Sequence, residues 1–403
     1  MLKDIPRVLL LVDTSREAGR KLLYGITKYS HLHGPWRFNR KPVYFFEGQI
    51  NRKNMSQQLE KETLSRLDKW GANGIISTNV NDPEKFTRLL AMGLPTIILG
   101  DHNPDKSIPG WHRIRSDSVA IGRVAAEHLL DCGFRNFAYC GYHKTWWSEE
   151  RGLGFLRRIE EAGFEVSFFK PPRSQLKRIW ENEQTLMADW LKSLPKPLGI
   201  MACNDDRGQN ILEACQIADL NVPDEVAVIG VDNDIRVCEV SEPPLSSIPL
   251  NNKRAGYEGA ELLAKLMAGE KLTHQEIVVQ PTDVVIREST DSLAIENCDI
   301  AKAVRFIRHY ATEMIQVSDV VNVVPMSRRK LQSSFRRLLG RSVFEEIKRV
   351  HVDKYTRMLV ETNMSISQIA AALGHPSFEN MNRYFRSVKG MSPTAYRKKY
   401  GLK

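Results

Sequence analysis

From Arg7 to about residue 290 the chain repeats one pattern: a short apolar run, then a longer stretch with apolar side chains at helical spacing. The runs are Arg7–Val12, Gly74–Thr78, Thr96–Leu99, Phe137–Cys140, Leu198–Cys203 and Val226–Val231. Helical stretches lie near Gly19–Tyr29, Pro83–Met92, Val119–Cys132, Arg151–Ala162, Gly208–Ala218 and Arg254–Met267. A continuous apolar run flanked by helices reads as a strand covered on both faces, which belongs to a parallel sheet. The predicted architecture is therefore doubly wound α/β, and about 290 residues suffice for two such sheets. One large Rossmann-type enzyme domain is the competing arrangement.

Doubly wound sheets bind ligands at the carboxyl ends of their strands. There the chain places Asp13-Thr14-Ser15-Arg16, Gly100-Asp101-His102, Asn204-Asp205-Asp206 and Gly230-Val231-Asp232-Asn233-Asp234. A carboxylate or amide at four strand ends suits the adjacent hydroxyls of a sugar. Any one of them could equally cap a helix or close a turn. Trp146 and Trp147 offer flat faces for a sugar ring, and Arg151 offers a forked donor pair. The run Arg151–Arg157 lacks the third glycine of a dinucleotide loop, and no cofactor is expected. The six cysteines include no C-x-x-C pair, and His31 and His33 have no third ligand beside them, so no metal is expected either.

Charge separates the rest of the chain from this body. Residues 295–403 hold 20 Lys and Arg against 9 Asp and Glu, whereas the other 294 residues hold 38 against 39. The whole excess of +10 thus lies in the last quarter, which points to an acidic polymer such as nucleic acid. The residues 289–297 are polar and unpatterned and read as a linker. Beyond them the pattern is helical throughout. Ile300, Val304, Ile307 and Ala311 form one stripe, and Val317, Val320, Val321 and Val324 form another, which ends at Pro325. Ser327 then caps a helix that turns Leu331, Phe335 and Leu338 inward. A second copy follows. Ser365 and Gln368 make a capping box, Ile366, Ile369, Ala370 and Leu373 are buried, Gly374 stops the helix, and Ser377 opens another that buries Met381 and Phe385. Two basic helix-turn-helix units in tandem fit major-groove binding. Between them, Val343–Thr362 reads as one helix.

Two family resemblances sit on these residues. Asp117–Gly122, His128–Leu130, Gly133–Tyr139, Ser148, Arg151, Phe155, Asn204-Asp205, Val222–Asp232 and Pro243–Ile248 resemble the LacI/GalR-type regulator core over roughly residues 5–288. The resemblance implies a periplasmic-binding-protein-like pair of α/β subdomains that closes on a sugar. It places Arg151, Asn204, Asp205 and Asp232 at ligand-contact positions, and Asp13, Trp146 and Trp147 complete the candidate site. Members of that family carry a helix-turn-helix before the core, and this chain shows none there, so DNA binding is expected from elsewhere. Ser367–Arg386 and Gly390–Arg397 resemble the AraC/XylS-type DNA-binding domain, over roughly residues 298–403. This implies base-facing roles for Arg328, Arg329 and Gln332 in the first unit, and for Glu379, Asn380, Asn382 and Arg383 in the second. The chain departs from that family at Pro325, where Gly is usual, and at Gln316, where a small capping residue is usual.

In this order, the two resemblances imply the layout of xylose-operon activator-type regulators. The expectation is a DNA-binding, sugar-responsive regulator that activates a pentose operon, with no catalytic residues. It would bind a double-stranded operator as a homodimer and contact RNA polymerase. A sugar-converting enzyme with a basic appendage is the alternative, and it would need an acid, base or nucleophile set in the cleft. No apolar run approaches the ~18 residues of a membrane span, and no secretory signal is legible, so a cytoplasmic protein without membrane contact is expected.

Overall fold

The computed structural model describes residues 5–40, 70–78, 91–100, 112–170, 180–291, 298–374 and 378–401. Pro83–Ala91 lies largely outside these ranges, as do Asp101, His102 and Ser377. The chain divides into two compact units, residues 1–117 with 251–280, and residues 118–250 with 281–403.

The first unit opens with β1 (Arg7–Leu11), α1 (Glu17–His33), β2 (Arg37–Arg40), β3 (Gly74–Thr78), β4 (Thr96–Leu99) and β5 (His112–Ser116). The second runs through α2 (Ser118–Asp131), β6 (Asn136–Cys140), α3 (Trp146–Glu161), β7 (Val166–Phe168), α4 (Trp180–Ser193), β8 (Leu198–Ala202), α5 (Asp205–Ala218), β9 (Val226–Asp232), α6 (Ile235–Cys238) and β10 (Ser246–Pro249). The chain then returns to the first unit through α7 (Asn252–Met267) and β11 (Glu276–Val279). The first sheet has the order β11-β5-β4-β3-β1-β2 and the second β10-β9-β8-β6-β7. Every strand pair is parallel. The apolar runs form the central strands, with Leu9, Ile75 and Ile97 fully enclosed in one sheet and Ile200, Val228 and Ile229 in the other. Two parallel sheets replace the single large domain.

Five strands fall outside the six runs marked in the sequence: β2, β5, β7, β10 and β11. Four of them lie at sheet edges, where one side of the strand has no neighbour and apolar character is not required. β5 lies next to an edge, and its Arg113 and Arg115 both reach Glu276 of β11, at 3.2 and 2.9 Å. Helix α4 is likewise absent from the apolar pattern, because Gln184 occupies one turn of its buried stripe beside Met187, Ala188 and Leu191.

Helices α2 and α3 pack backbone to backbone. A Cβ on Gly122 would sit 2.1 Å from the Arg151 carbonyl oxygen, and one on Gly154 would sit 2.2 Å from that of Val119. Gly122→Ala must therefore push the helices apart, at a cost of about 1–3 kcal/mol. Its melting temperature is expected to fall by several degrees in calorimetry. A melting point equal to wild type would mean that the pair is not in contact.

The C-terminal helices are α8 (Cys298–His309), α9 (Val317–Val323), α10 (Arg328–Leu339), α11 (Val343–Glu361), α12 (Ile366–Ala372), α13 (Phe378–Lys389) and α14 (Pro393–Tyr400). They enclose two small cores. One gathers Ile300, Val304, Val320, Leu331 and Phe335, and the other Ile369, Leu373, Met381, Phe385 and Tyr396. Helix α11 serves both, through Val343, Ile347 and Val350 in the first and Val352, Tyr355 and Leu359 in the second. The expected caps form: Ser327 accepts from the Lys330 amide at 3.3 Å, and Ser365 and Gln368 exchange bonds of 3.1 and 2.7 Å. Gly374 adopts the left-handed φ of 71° that ends α12. At Gln316 the Asp319 carboxylate accepts from the Gln316 amide at 2.7 Å, so Gln316 and Asp319 form a capping box at the start of α9. Before Pro325, Val324 is extended (φ −125°, ψ 145°), the conformation a following proline favours, and the helix therefore ends there.

Residues 288–290 form a 3-10 turn rather than free chain. Ser289 and Thr290 are fully buried, and the Ser289 hydroxyl accepts from the Ser246 amide at 2.8 Å and donates to the Val228 carbonyl at 2.6 Å. The polarity of this segment reflects internal hydrogen bonding. Residues 292–297 lie outside the described ranges. Among the described residues, no helix is long and apolar enough to cross a membrane.

Candidate functional site

In the second unit the carboxyl ends of β8 and β9 meet the first turns of α3. Arg151, on α3, is 4% exposed. Its Nη1 donates to the Cys203 carbonyl at 2.5 Å, its Nη2 lies 3.8 Å from Asp232 Oδ1, and its guanidinium lies over the Trp147 ring at 4.7 Å. Trp147 in turn meets Tyr142 edge-on, with centroids 6.0 Å apart. Arg151 Nε is enclosed yet has no acceptor among the described residues. A buried donor without a partner is costly, and a ligand oxygen would relieve it. Trp146 is half-buried at the start of the same helix.

Asp232 ends β9 with φ 100°, and Asn233 follows with φ 50°. Two successive left-handed residues without glycine are strained and persist only where the surroundings hold them. Asp205 supplies the hold. It is 2% exposed, and its carboxylate accepts from the Asp234 amide at 2.7 Å and the Ser247 hydroxyl at 2.5 Å. Ser247 Oγ accepts from the Asn233 amide at 3.0 Å. Asn204 caps α5, accepting from the Arg207 amide at 3.0 Å and donating to Asp206 at 3.1 Å. Arg151, Trp147 and Asp232 are thus brought together, Asp205 braces the segment that follows Asp232, and Asn204 caps α5. Asp13 belongs to the first unit, where it closes a turn by accepting from the Ser15 amide at 2.8 Å and hydroxyl at 2.7 Å.

Sequence reasoning missed Arg207, Tyr142 and Ser247. Arg207 is 4% exposed, pairs with Glu183 at 2.6 Å, and lies 5.4 Å from the ring centres of both Tyr142 and Phe169. Its place directly after Asn204-Asp205-Asp206 was the available signal. Among the described residues, no group of His, Cys, Asp and Glu is placed to hold a metal ion.

Burial, followed by the nearby Asp232 carboxylate, pushes the Asp205 carboxyl up to about 8 against the hydrogen bonds it accepts. A carboxyl raised on folding contributes stability that is present in acid and is lost as pH rises through the folded value. Between pH 5 and 9 the urea midpoint of the wild type is expected to fall relative to that of Asp205→Asn. Parallel profiles would show that Asp205 ionises in the ordinary range.

The C-terminal units present a second surface. On α10, Arg328, Arg329, Lys330, Gln332, Arg336 and Arg337 are exposed while Leu331 and Phe335 are enclosed. On α13, Arg383 and Arg386 are exposed, and Met381 and Phe385 are enclosed. Asn382 is half-buried, and its enclosed amide oxygen has no partner among the described residues. The side chains of Glu379 and Asn380 lie outside the described residues. Each second helix therefore turns a basic face outward, and α10 adds the exposed Gln332 amide; arginine suits guanine edges and an amide suits adenine.

An α/β core with a strand-end polar site, followed by two such units, defines the class of DNA-binding, sugar-responsive transcriptional regulators. Residues 126–290 match the periplasmic binding protein-like domain family, and residues 320–399 match a helix-turn-helix domain family. The chain is 30% identical over 341 residues to the xylose operon regulatory protein of Haemophilus influenzae, covering 83% of this chain and 87% of that one. It is 27% identical over 398 residues to the xylose operon regulatory protein of Escherichia coli K12, covering 97% and 96%. The chain belongs to the xylose operon regulatory protein family. A solved structure of the xylose-binding transcription activator xylR aligns over 100% of both chains, with 26% identity and a TM-score of 0.61. A periplasmic binding protein/LacI regulator from Alkaliphilus metalliredigens, complexed with D-xylulofuranose, shares the fold over 70% of this chain and 98% of its own, at 22% identity and a TM-score of 0.54. These relatives are regulators, and the enzyme alternative finds no support among them.

Proposed function

We propose that this chain activates a xylose-utilisation operon in response to xylose. The carrying observation is Arg151, a buried guanidinium stacked on Trp147 beside Asp232, with one N–H lacking an acceptor among the described residues. A pyranose fits this chemistry. Its C–H face covers an indole, and adjacent hydroxyls bridge a guanidinium and a carboxylate. In this reading Arg151, Asn204, Asp205, Asp232, Trp146 and Trp147 form the sugar site of the second unit. Residues 1–288 form the regulatory region, residues 289–297 join it to the rest, and residues 298–403 read DNA. Base contacts come from Arg328, Arg329, Gln332, Glu379, Asn380, Asn382 and Arg383. The protein acts in the cytoplasm as a homodimer on a double-stranded operator and contacts RNA polymerase there. The names of the relatives and the match to a xylose-binding activator support xylose over other sugars.

Thermal-shift titration against D-xylose, L-arabinose, D-ribose and D-glucose tests the reading, because a ligand that binds the folded state raises its melting point by mass action. D-xylose is expected to give the largest shift. An equal or larger shift with another of these sugars would reassign the effector, and no shift with any of them would remove the sugar site.

A further inference from the structure

Within the second unit, the basic C-terminal module does not hang from a tether. Among the described residues five cations hold it on the α/β layer, the first being Arg308, whose Nη2 donates to Cys132 Sγ at 3.7 Å and whose Nη1 lies 3.4 Å from Asp291 Oδ1. Arg341 Nη1 lies 3.1 Å from Asp131 Oδ1, and its Nη2 donates to the Asp131 carbonyl at 3.3 Å. Arg349 reaches the same carboxylate at 3.7 Å. Lys389, from α13, lies 2.9 Å from Asp283 and 3.5 Å from Asp353. Arg357 adds a bond of 3.2 Å to the Val284 carbonyl.

The arrangement centres on α11. Glu346, fully enclosed, lies between Arg341 and Arg349 at 2.5 and 2.9 Å. Burial pushes its carboxyl up, but Arg349 and Arg341 outweigh that and hold it at about 2. Among the described residues, Arg341, Arg349 and Lys389 pair with Glu346 and Asp353 within the module, and Asp131 and Asp283 of the core supply further negative charge. Glu346, Arg349, Asp353 and Arg357 recur at helical spacing and form one stripe of α11. Other positions of α11 enter the cores of both helix-turn-helix units. The helix that sets the spacing of the two reading heads is therefore the helix that the core grips.

Both grips stand near elements that a sugar would load. Asp131 ends α2, and Gly122, nine residues earlier, is packed on the carbonyl of Arg151 itself. Asp283 stands three residues beyond Gln280, where the chain leaves the first unit. Asp131 is 41% exposed and Asp283 29%, so these ion pairs add little to stability and can be shifted by a modest load.

We propose that Asp131 and Asp283 are positioning residues that fix α11 on the regulatory core, so that occupancy of the Arg151 site sets the DNA affinity of both helix-turn-helix units together. This rests on the sugar-responsive reading above. The test uses the full chain as wild type, the Asp131→Ala/Asp283→Ala double variant, and the Asp131→Glu/Asp283→Glu double variant. D-xylose affinity is read by calorimetry. DNA affinity, with and without D-xylose at fixed salt, is read on the fragment that the wild type protects from nuclease. A coupling of ordinary size changes affinity about 5- to 150-fold. The alanine variant is expected to keep D-xylose affinity within about twofold of wild type while its ratio of DNA affinities collapses toward one, and the glutamate variant should restore most of the ratio. A loss of general stability would lower DNA affinity in both conditions and leave the ratio in place. A wild-type ratio preserved in the alanine variant overturns the proposal. Hydrogen exchange along α11 without sugar separates the two readings. If the wild type ignores every sugar, the sugar reading fails, and unchanged exchange in the alanine variant then overturns the grip as well.

Discussion

Arg151→Ala is expected to weaken D-xylose binding by at least tenfold in calorimetry, while DNA binding without sugar persists. Arg151 is buried, and the proposed ligand would meet both its Nε and the Asp232 carboxylate 3.8 Å from its Nη2. Loss of a hydrogen bond to a charged group inside a protein costs about 1.5–3 kcal/mol, and a buried partner left without it adds to that. The stacking of Trp147 on the guanidinium is removed in the same step. Arg151→Lys should rescue little. An ammonium is a point charge on a flexible stem and lacks the planar fork that reaches the Cys203 carbonyl with one nitrogen and a ligand with another. The variant also gives up the Cys203 contact, so its melting curve must accompany the titration. A folded Arg151→Ala protein with wild-type sugar affinity would take Arg151 out of the site.

Insertion of five base pairs between the two DNA elements read by one protomer is expected to abolish protection of one of them in footprinting. Helix α11 has 19 residues, so it spans about 28 Å at a rise of ~1.5 Å per residue. Successive major grooves on one face of B-DNA lie ~34 Å apart, and side chains at each end bridge the difference. The same helix enters both small cores, so the two reading heads cannot swing independently without opening one of them. A half-turn insertion carries the second element to the opposite face, and the exposed rows of α10 and α13 can no longer dock together. Insertion of ten base pairs restores the face but not the distance and should not restore double protection. Full protection of both elements after the five-base-pair insertion would mean that α11 bends or breaks on DNA.

The central strands were legible because burial on both faces leaves an unbroken apolar run, as in Leu198–Ala202 and Val226–Asp232. The helix-turn-helix units were legible because their caps are local: Ser327 with Lys330, and Ser365 with Gln368, lie three residues apart. The edge strands Arg37–Arg40 and Val166–Phe168 were not, since a strand with one neighbour needs no such run. At the site, the residue types were readable but their roles were not. Asn204 and Asp205 carry the same sequence signal as Asp232, and only the tertiary structure places the Asp232 carboxylate 3.8 Å from Arg151 Nη2. Asp205 finds Ser247 42 residues away, and Arg341 finds Asp131 210 residues away. The sequence alone determined the central strands, the caps and the charge of each region, because periodicity and short-range hydrogen bonds write them into neighbouring residues. Which carboxylate meets which cation was decided only when the chain closed on itself, because nothing in a single residue's surroundings along the chain specifies a partner two hundred positions distant.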